Sequence, residues 1–205
     1  MTAGRRRTHR REVRRYRPEV GSDREQVLGQ IEAATERLLR TVRGFTDADV
    51  RMPSLLPGWT RAHVLAHLAG GAGALRNLLD SARTGLPIAA YASQDARDEA
   101  IEAGARRDAA ALLDEVIAGA DLFRRAAAAL PDAAWEREVQ APNGATIPAE
   151  ELLERRLVEL ELHHTDLDAG YGPGDWPQSF VDMELAEPMR GQRAERVAWR
   201  HRSTG

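Results

Sequence analysis

Two histidines and one glutamate in this chain have the residue types and the spacing of a metal site. Glu159 and His163 are four residues apart, so on a helix they lie on adjacent turns of one face. His67 lies in a separate stretch whose apolar residues also have helical spacing. Two imidazoles and one carboxylate suit Zn²⁺, and also Fe²⁺, Ni²⁺ or Mn²⁺. We therefore predict a divalent-metal site, with zinc as the preferred ion and coordination positions left open for chemistry.

The positions of these residues on their helices favour one shared site. At about 100° per residue, Glu159 and His163 lie at one edge of the apolar stripe of their helix. His67 lies at the edge of a second stripe, which is centred on Leu68. Residues at stripe edges face the groove between neighbouring helices, so we predict that the three side chains converge there, partly open to solvent.

Spacing alone leaves alternatives open. Glu161 and His164 form an i,i+3 pair of the kind that helix-bundle metal sites also use. His63 is one turn from His67 and could replace it. We expect His164 to be a hydrogen-bonded core residue, because it continues the apolar stripe, and His63 to lie in an exposed first turn. The other two histidines lie in the terminal segments and carry no argument.

Composition excludes several other kinds of chemistry. There is no cysteine, so disulfides, thiolate metal sites and a cysteine nucleophile are excluded, and any thiol must come from outside. The glycines fit neither a P-loop nor a dinucleotide-binding fingerprint. No serine lies in a G-x-S-x-G setting. No apolar run reaches the roughly 18 residues that span a membrane, and no apolar stretch follows the basic N-terminus, so we predict a cytoplasmic protein.

Charge is unevenly distributed along the 205 residues. All 29 basic residues are arginines, and the formal net charge is −3. Residues 1–20 carry eight arginines and two glutamates, hence +6, which leaves −9 for the remainder. An acidic body does not favour nucleic acid over a broad face. We expect residues 1–21 to be a disordered Arg-rich tail that binds nucleic acid weakly at most.

Four long helices are predicted from caps and apolar spacing. Ser22 and Glu25 have the S-x-x-E pattern of a capping box, which predicts a first helix to about Gly44. The second helix is expected after Thr60 and should end at Gly85. The third helical region runs from Ser93 to Leu130 with a break near Gly104, and the fourth runs from about Pro148 to about Asp168.

These elements predict an all-α four-helix bundle with no convincing strand. A turn of helix is expected around residues 47–50, and a turn at Asn143-Gly144. The bundle, with its metal site, is assigned to residues 22–176. Beyond Trp176 the apolar pattern weakens, and residues 177–205 are expected to be a truncated, poorly packed C-terminal segment.

Three motifs in order resemble one known family. They are LPGWTRAHVLAHLAGGAGALRNLLDSARTG, then RDEAIEAGA, then ELELHHTDLDAGYGPGDWP. They are similar to the mycothiol-dependent maleylpyruvate isomerases, which belong to the DinB-like superfamily of four-helix metalloproteins, and the similarity covers roughly residues 23–177. The resemblance implies a DinB-like four-helix bundle in which His67, Glu159 and His163 are the metal ligands.

The resemblance also implies a reaction. In such an isomerase, a metal-activated external thiol, mycothiol, adds to a conjugated double bond and leaves again after rotation, which gives the trans isomer. The expected partners are therefore a small-molecule thiol and an electrophilic substrate. Two alternatives remain: a mycothiol S-transferase on other electrophiles, or a non-catalytic metal-binding bundle. The full isomerases carry a further C-terminal domain that helps to form the active site, and the 29 residues after Trp176 are too few to supply it.

Overall fold

Helices dominate the protein, whose computed structural model describes residues 20–202. In chain order the helices are α1 Val20–Val42, α2 Asp47–Arg51, α3 Arg61–Thr84, α4 Gln94–Gly104, α5 Ala109–Ala128, α6 Glu151–Asp166, α7 Gln178–Val181 and α8 Met189–Arg202. A short 3₁₀ turn, Asp132–Ala134, follows α5. The predicted all-α, DinB-like bundle is confirmed, because the four long predicted helices correspond to α1, α3, the α4–α5 pair and α6.

Local capping determines where α3 begins and ends. Thr60 is the N-cap residue and has an extended backbone conformation. The backbone N–H of Thr60 donates a hydrogen bond to Nδ1 of His63 at 3.2 Å. Gly85 ends the helix with φ +71°, a left-handed conformation in which a side chain would be strained. Both boundaries agree with the sequence-based prediction. The start of α3 also sets the direction in which His67 points, two turns into the helix.

The Ser22 capping box predicted for the first helix is wrong. Helix α1 already begins at Val20, so Ser22 lies within it and is not its N-cap residue. The S-x-x-E pattern is short and also occurs within helices, so by itself it does not determine where a helix begins. The Arg-rich tail predicted for residues 1–21 lies almost entirely outside the described residues.

A β-hairpin replaces part of the loop predicted between the third and fourth helices. Strand β1, Glu138–Gln140, pairs antiparallel with β2, Thr146–Pro148, and places Val139 opposite Ile147, both buried. The Asn143-Gly144 turn connects the strands, with Gly144 at φ +82°. The expectation of no strand is therefore wrong, and so is the placement of Pro148 in a first helical turn, since it ends β2 and α6 begins at Glu151.

The long helices enclose one apolar core. Helix α3 packs against α5, α6 and α4, and α1 packs against α6. At the α3–α5 crossing, a Cβ atom on Gly119 would lie 3.0 Å from the carbonyl oxygen of Ala69, so the missing side chain permits the close approach. No helix among residues 20–202 is long and apolar enough to cross a membrane.

The segment after Trp176 is more ordered than the sequence suggested. Helix α8 packs against α6, and four residues of the segment are almost completely buried: Phe180, Leu185, Met189 and Arg196. This differs from the expected poor packing. The weak apolar pattern was misleading because an arginine, paired with a buried carboxylate, supplies part of the inward face of α8.

Candidate metal centre

The structure brings His67 and His163 together across the α3–α6 groove. Their Nε2 atoms are 3.1 Å apart, and the two rings meet edge to face with centroids at 4.7 Å. Two nitrogens bound at 2.0–2.1 Å to one tetrahedral zinc ion are about 3.3 Å apart. The two imidazoles therefore already have nearly the separation that a shared metal ion requires.

Glu159 lies in the same cavity, one turn before His163 on α6. Its Oε2 atom is buried and accepts no hydrogen bond, and the nearest cation is the Arg156 guanidinium, with Nη1 at 3.6 Å. Gly71 of α3 makes room for it, because a Cβ atom there would lie 3.2 Å from Oε2. A buried carboxylate oxygen that accepts no hydrogen bond and has only a loose ion pair, beside two facing imidazoles, is the donor set that suits a divalent cation.

Full convergence of the three side chains is not seen. Across residues 20–202, no group of three or more His, Asp or Glu side chains is close enough together to hold a metal ion. The two histidines meet, and Glu159 shares their cavity with its carboxylate turned towards Gly71 and Arg156. The three-residue ligand set is therefore still a prediction.

The cavity that these residues border has a volume of about 220 Å³. Its walls come from α3, from the segment between α3 and α4, from the hairpin loop, from α6 and from the start of α8. The lining residues are His67, Gly71, Ala74, Leu75, Leu78, Ala90, Tyr91, Pro142, Arg155, Val158, Glu159, His163, Pro188, Met189 and Gln192. Most of them are apolar, and the polar groups come from α6, from His67, from Tyr91 and from Gln192 of α8.

A directed hydrogen-bond chain fixes the protonation pattern of the histidines. Nδ1–H of His163 donates to Oδ2 of Asp166 at 2.8 Å, which leaves the lone pair on Nε2 facing His67. The Arg97 guanidinium lies 3.4 Å from Nδ1 of His67. Because that guanidinium can only donate, His67 carries its proton on Nε2 and donates it to His163. The proton lies between the two Nε2 atoms, where a metal ion would displace it.

The surroundings keep His67 uncharged and Asp166 charged. Burial, followed by the neighbouring His163, Arg97 and Arg156, holds the pKa of His67 well below its usual value. Burial alone would raise the pKa of Asp166, but hydrogen bonds from His163 and Arg196 outweigh it and lower that pKa. A neutral imidazole is the metal-binding form, so His67 can act as a ligand even in mildly acid solution.

The alternative ligands are turned away from the cavity. His164 is 3% exposed, its Nε2 lies 2.8 Å from Oγ1 of Thr41, and its ring stacks on Tyr171 at 3.8 Å. Glu161 is held by Arg37 and by the Tyr171 hydroxyl on the same side, towards α1. The expectation that His164 is a core residue is confirmed, and the Glu161/His164 pair does not meet His67.

His63 caps the first turn of α3, which confirms its predicted position, but its side chain is only 17% exposed, so the predicted exposure is wrong. Its Nδ1 lies 2.7 Å from the Thr60 hydroxyl, and its Nε2 lies 3.5 Å from Glu102 on α4. Both contacts are on the α4 side of α3. His63 therefore does not replace His67 in the cavity.

Sequence reasoning missed several residues around the site. Asp166 had a usable signal, because it follows His163 by three residues on the same helix and a carboxylate often orients a ligating histidine. Arg155 and Arg156 lie on the inner side of α6, and Arg156 is only 1% exposed, although arginine is seldom buried. Arg196 is 30 residues from Asp166, so no local pattern links the two.

Comparisons with known proteins agree with this architecture. Residues 31–168 match the family model described as the mycothiol maleylpyruvate isomerase N-terminal domain. A crystal structure of a mycothiol-dependent maleylpyruvate isomerase is 34% identical with a TM-score of 0.74, and the match covers 77% of this chain and 66% of that one. A histidine-to-alanine mutant of such an isomerase matches at 33% identity with the same TM-score and coverage. None of the curated proteins is a significant match.

The chain thus spans just under two thirds of the length of these solved isomerases. The matched region contains His67, Glu159 and His163, together with α3 and α6, which position them. Because the family model covers well over half of the chain, the protein belongs to the mycothiol maleylpyruvate isomerase N-terminal domain family.

Proposed function

We propose that His67, Glu159 and His163 bind one divalent metal ion, preferably zinc, and that the protein uses it to isomerise a small maleylpyruvate-like electrophile with an external thiol, mycothiol. The observation that carries the proposal is the pair of Nε2 atoms 3.1 Å apart beside a buried Glu159 oxygen that accepts no hydrogen bond. The family membership supports the thiol and the isomerisation.

The bound cation would supply Lewis acidity, which lowers the pKa of a thiol placed on it so that the thiolate forms near neutral pH. The protein's own residues prepare the site. His67 stays neutral because it is buried, and Asp166 orients His163. Apolar side chains of α3 and Met189 of α8 line the cavity, which lowers the local dielectric constant and strengthens the electrostatic interactions inside.

The proposed reaction needs no redox partner. The thiolate sulfur forms a bond to one carbon of the cis double bond, and the electron pair moves into the conjugated carbonyl as an enolate. Rotation about the resulting carbon–carbon single bond follows. The pair then returns, the double bond re-forms as trans and the carbon–sulfur bond breaks, which regenerates the thiolate.

Arg155 is suited to hold an acidic electrophile in this cavity. It lines the wall one turn before Glu159, and its Nε–H is buried without an acceptor. Its guanidinium makes a loose ion pair with Glu151 at 3.9 Å. A carboxylate of the substrate would satisfy that donor with a charge-assisted hydrogen bond.

Metal analysis of the purified protein tests the proposal. After zinc loading and dialysis, we expect one zinc per chain, and near-zero zinc in the His67→Ala and His163→Ala variants. His164→Gln is the matched control, because it removes an adjacent histidine that faces α1, and it should retain zinc. A wild-type protein that retains no zinc would contradict the proposal.

Product analysis separates the candidate activities. With mycothiol and maleylpyruvate, the zinc-loaded protein should produce the trans isomer, with the thiol recovered unchanged. A stable thiol adduct would instead indicate an S-transferase acting on an electrophile. Zinc binding without turnover over a panel of electrophiles would indicate a non-catalytic metal-binding bundle.

A further inference from the structure

Helix α8 reaches the candidate metal centre from outside the part of the chain that matches the family. The match ends at residue 168, whereas α8 covers Met189–Arg202. Pro188, Met189 and Gln192 form one wall of the cavity. Four residues after Gln192, Arg196 points into the α6–α8 interface and is 6% exposed. The helix therefore contributes both a wall and a buried charge next to the site.

Arg196 and His163 share one buried carboxylate. Nε of Arg196 donates to Oδ1 of Asp166 at 3.0 Å, and Nη2 donates to Oδ2 at 2.9 Å. The same Oδ2 accepts Nδ1–H of His163 at 2.8 Å. Asp166 has no exposed side-chain surface, so these contacts are essential to it. The two hydrogen bonds from the guanidinium fix the orientation of the carboxylate plane. They also fix the distance between the carboxylate and the His163 imidazole.

We propose that Arg196 is a positioning residue for the metal centre: it locks Asp166, which in turn holds His163 as the Nδ1–H tautomer with Nε2 aimed into the cavity. The proposal rests on the proposed metal-binding function and deepens it. Groups that orient a ligating histidine typically change metal affinity by 10–100-fold when they are removed. We expect the loss of Arg196, which does not touch the cavity, to weaken metal binding by a similar factor.

The direction of the effect separates positioning from simple electrostatics. A guanidinium near a cation site repels the cation, so its removal should tighten metal binding if charge alone matters. If Arg196 positions His163, its removal should weaken binding despite the relief of repulsion. A purely structural role, in which Arg196 only anchors α8, predicts lower stability with no specific change at His163.

Three variants of the full chain provide the comparison. Arg196→Met removes the guanidinium and keeps an apolar stem of similar length. Arg196→Lys keeps the charge without the two-pronged contact. Arg193→Met is the matched control on the same helix, because Arg193 donates to the carbonyl oxygen of Phe180 and packs over its ring without reaching Asp166.

Two measurements are made on each variant. The zinc dissociation constant is obtained by competition with a chromophoric chelator, and long-range ¹H–¹⁵N spectra of the metal-free protein report the tautomer of His163. In Arg196→Met we expect about 10–100-fold weaker zinc binding and a mixture of tautomers. In Arg196→Lys both changes should be smaller. Arg193→Met should bind zinc within about twofold of wild type, with the Nδ1–H tautomer unchanged.

Unchanged or tighter zinc binding in a folded Arg196→Met protein overturns the inference, and so does weaker binding with the tautomer unaltered. If Arg196→Met does not fold, Arg196→Lys decides by the same two criteria. If wild-type protein binds no zinc, the proposed function fails, but the tautomer of His163 in the metal-free variants still tests the positioning role. The two failures are therefore distinguishable.

Discussion

The carboxylate of Glu159 lies where a cation would be its best partner. One of its oxygens is buried without a hydrogen bond, and Arg156, at 3.6 Å, is shared with the carbonyl oxygen of Leu68. Burying an ionised carboxylate without full compensation is costly. A divalent ion between Glu159 and the two imidazoles would remove that cost, which links the geometry of one side chain to metal binding.

Gly71→Ala should tighten zinc binding. The new Cβ atom would lie 3.2 Å from Oε2 of Glu159, which favours the turn away from Gly71 and Arg156 that the carboxylate must make to reach the ion. Gly73→Ala is the control, because it lies on the same helix with nothing within 4 Å of its Cβ position. Each change should also strengthen the helix by up to about 1 kcal/mol. Equal zinc dissociation constants for the two variants would contradict the prediction.

His164 should make the metal-free protein sensitive to acid. Burial, and then Arg37, lower the pKa of His164 to about 4, although Asp175 opposes the shift. The unfolded chain takes up this proton below about pH 6.5 but the folded protein does not, so stability falls as the pH falls from about 6.5 to 4. The loss attributable to this histidine is on the order of 3 kcal/mol by pH 4.

Urea unfolding at pH 7 and at pH 4.5 measures this dependence. The His164→Gln variant should be less stable at pH 7, because it loses the packed ring, but its stability should depend less on pH than that of wild type. The same pH dependence in both proteins would show that another group is responsible.

At the scale of elements, the sequence predicts those features that local rules determine. Thr60, Ser93 and Gly85 were correctly identified at helix boundaries, because N-caps and left-handed glycines depend on a few neighbouring residues. The hairpin was missed because each strand has three residues and buries one central side chain. Alternation cannot be detected over so short a length.

The candidate site, too, was predictable only where local sequence patterns determine it. The apolar stripes of two long helices predict that His67 and His163 face each other, and in the structure the two side chains meet. The preference for Glu159 over Glu161 came from family resemblance, and here the two carboxylates do lie on different sides of α6. The role of α8 could not be predicted, because its link to the site is a pairing between residues distant in sequence.

The α3–α5 crossing should be intolerant of larger residues. A Cβ atom on Gly119 would lie 3.0 Å from the Ala69 carbonyl oxygen and 3.2 Å from Cβ of Ala72, so Gly119→Ala must push the helices apart. We expect a net loss of about 1 kcal/mol, since overpacking costs about 1–3 kcal/mol and the gain in helix propensity offsets up to about 1. Gly29→Ala on α1, where nothing lies within 4 Å, should be stabilising in thermal unfolding.

At the scale of the whole molecule, charge divides the chain into two parts. Residues 1–20 carry +6 and the rest carries −9. We predict weak nucleic-acid binding that depends entirely on the basic segment and falls steeply with salt. Filter binding at 50 and 200 mM salt, with and without residues 1–19, measures it. Tight binding that survives the truncation would contradict the prediction, and zinc content should be the same in both proteins.

The whole bundle is arranged so that two helices distant in sequence meet at one cavity. Helix α3 supplies His67 and the small Gly71, and α6 supplies Glu159 and His163. The hairpin loop and α8 close the sides. We propose that this arrangement holds one divalent cation on His67, Glu159 and His163.

A crystal structure of the zinc-loaded protein, with anomalous data collected on both sides of the zinc edge, tests this proposal. We predict one strong anomalous peak per chain, about 2.0–2.2 Å from Nε2 of His67, Nε2 of His163 and a carboxylate oxygen of Glu159. Glu159 must turn from Gly71 and Arg156 to reach it. A peak on Glu161 and His164, or none between the two facing imidazoles, would contradict the proposed metal site.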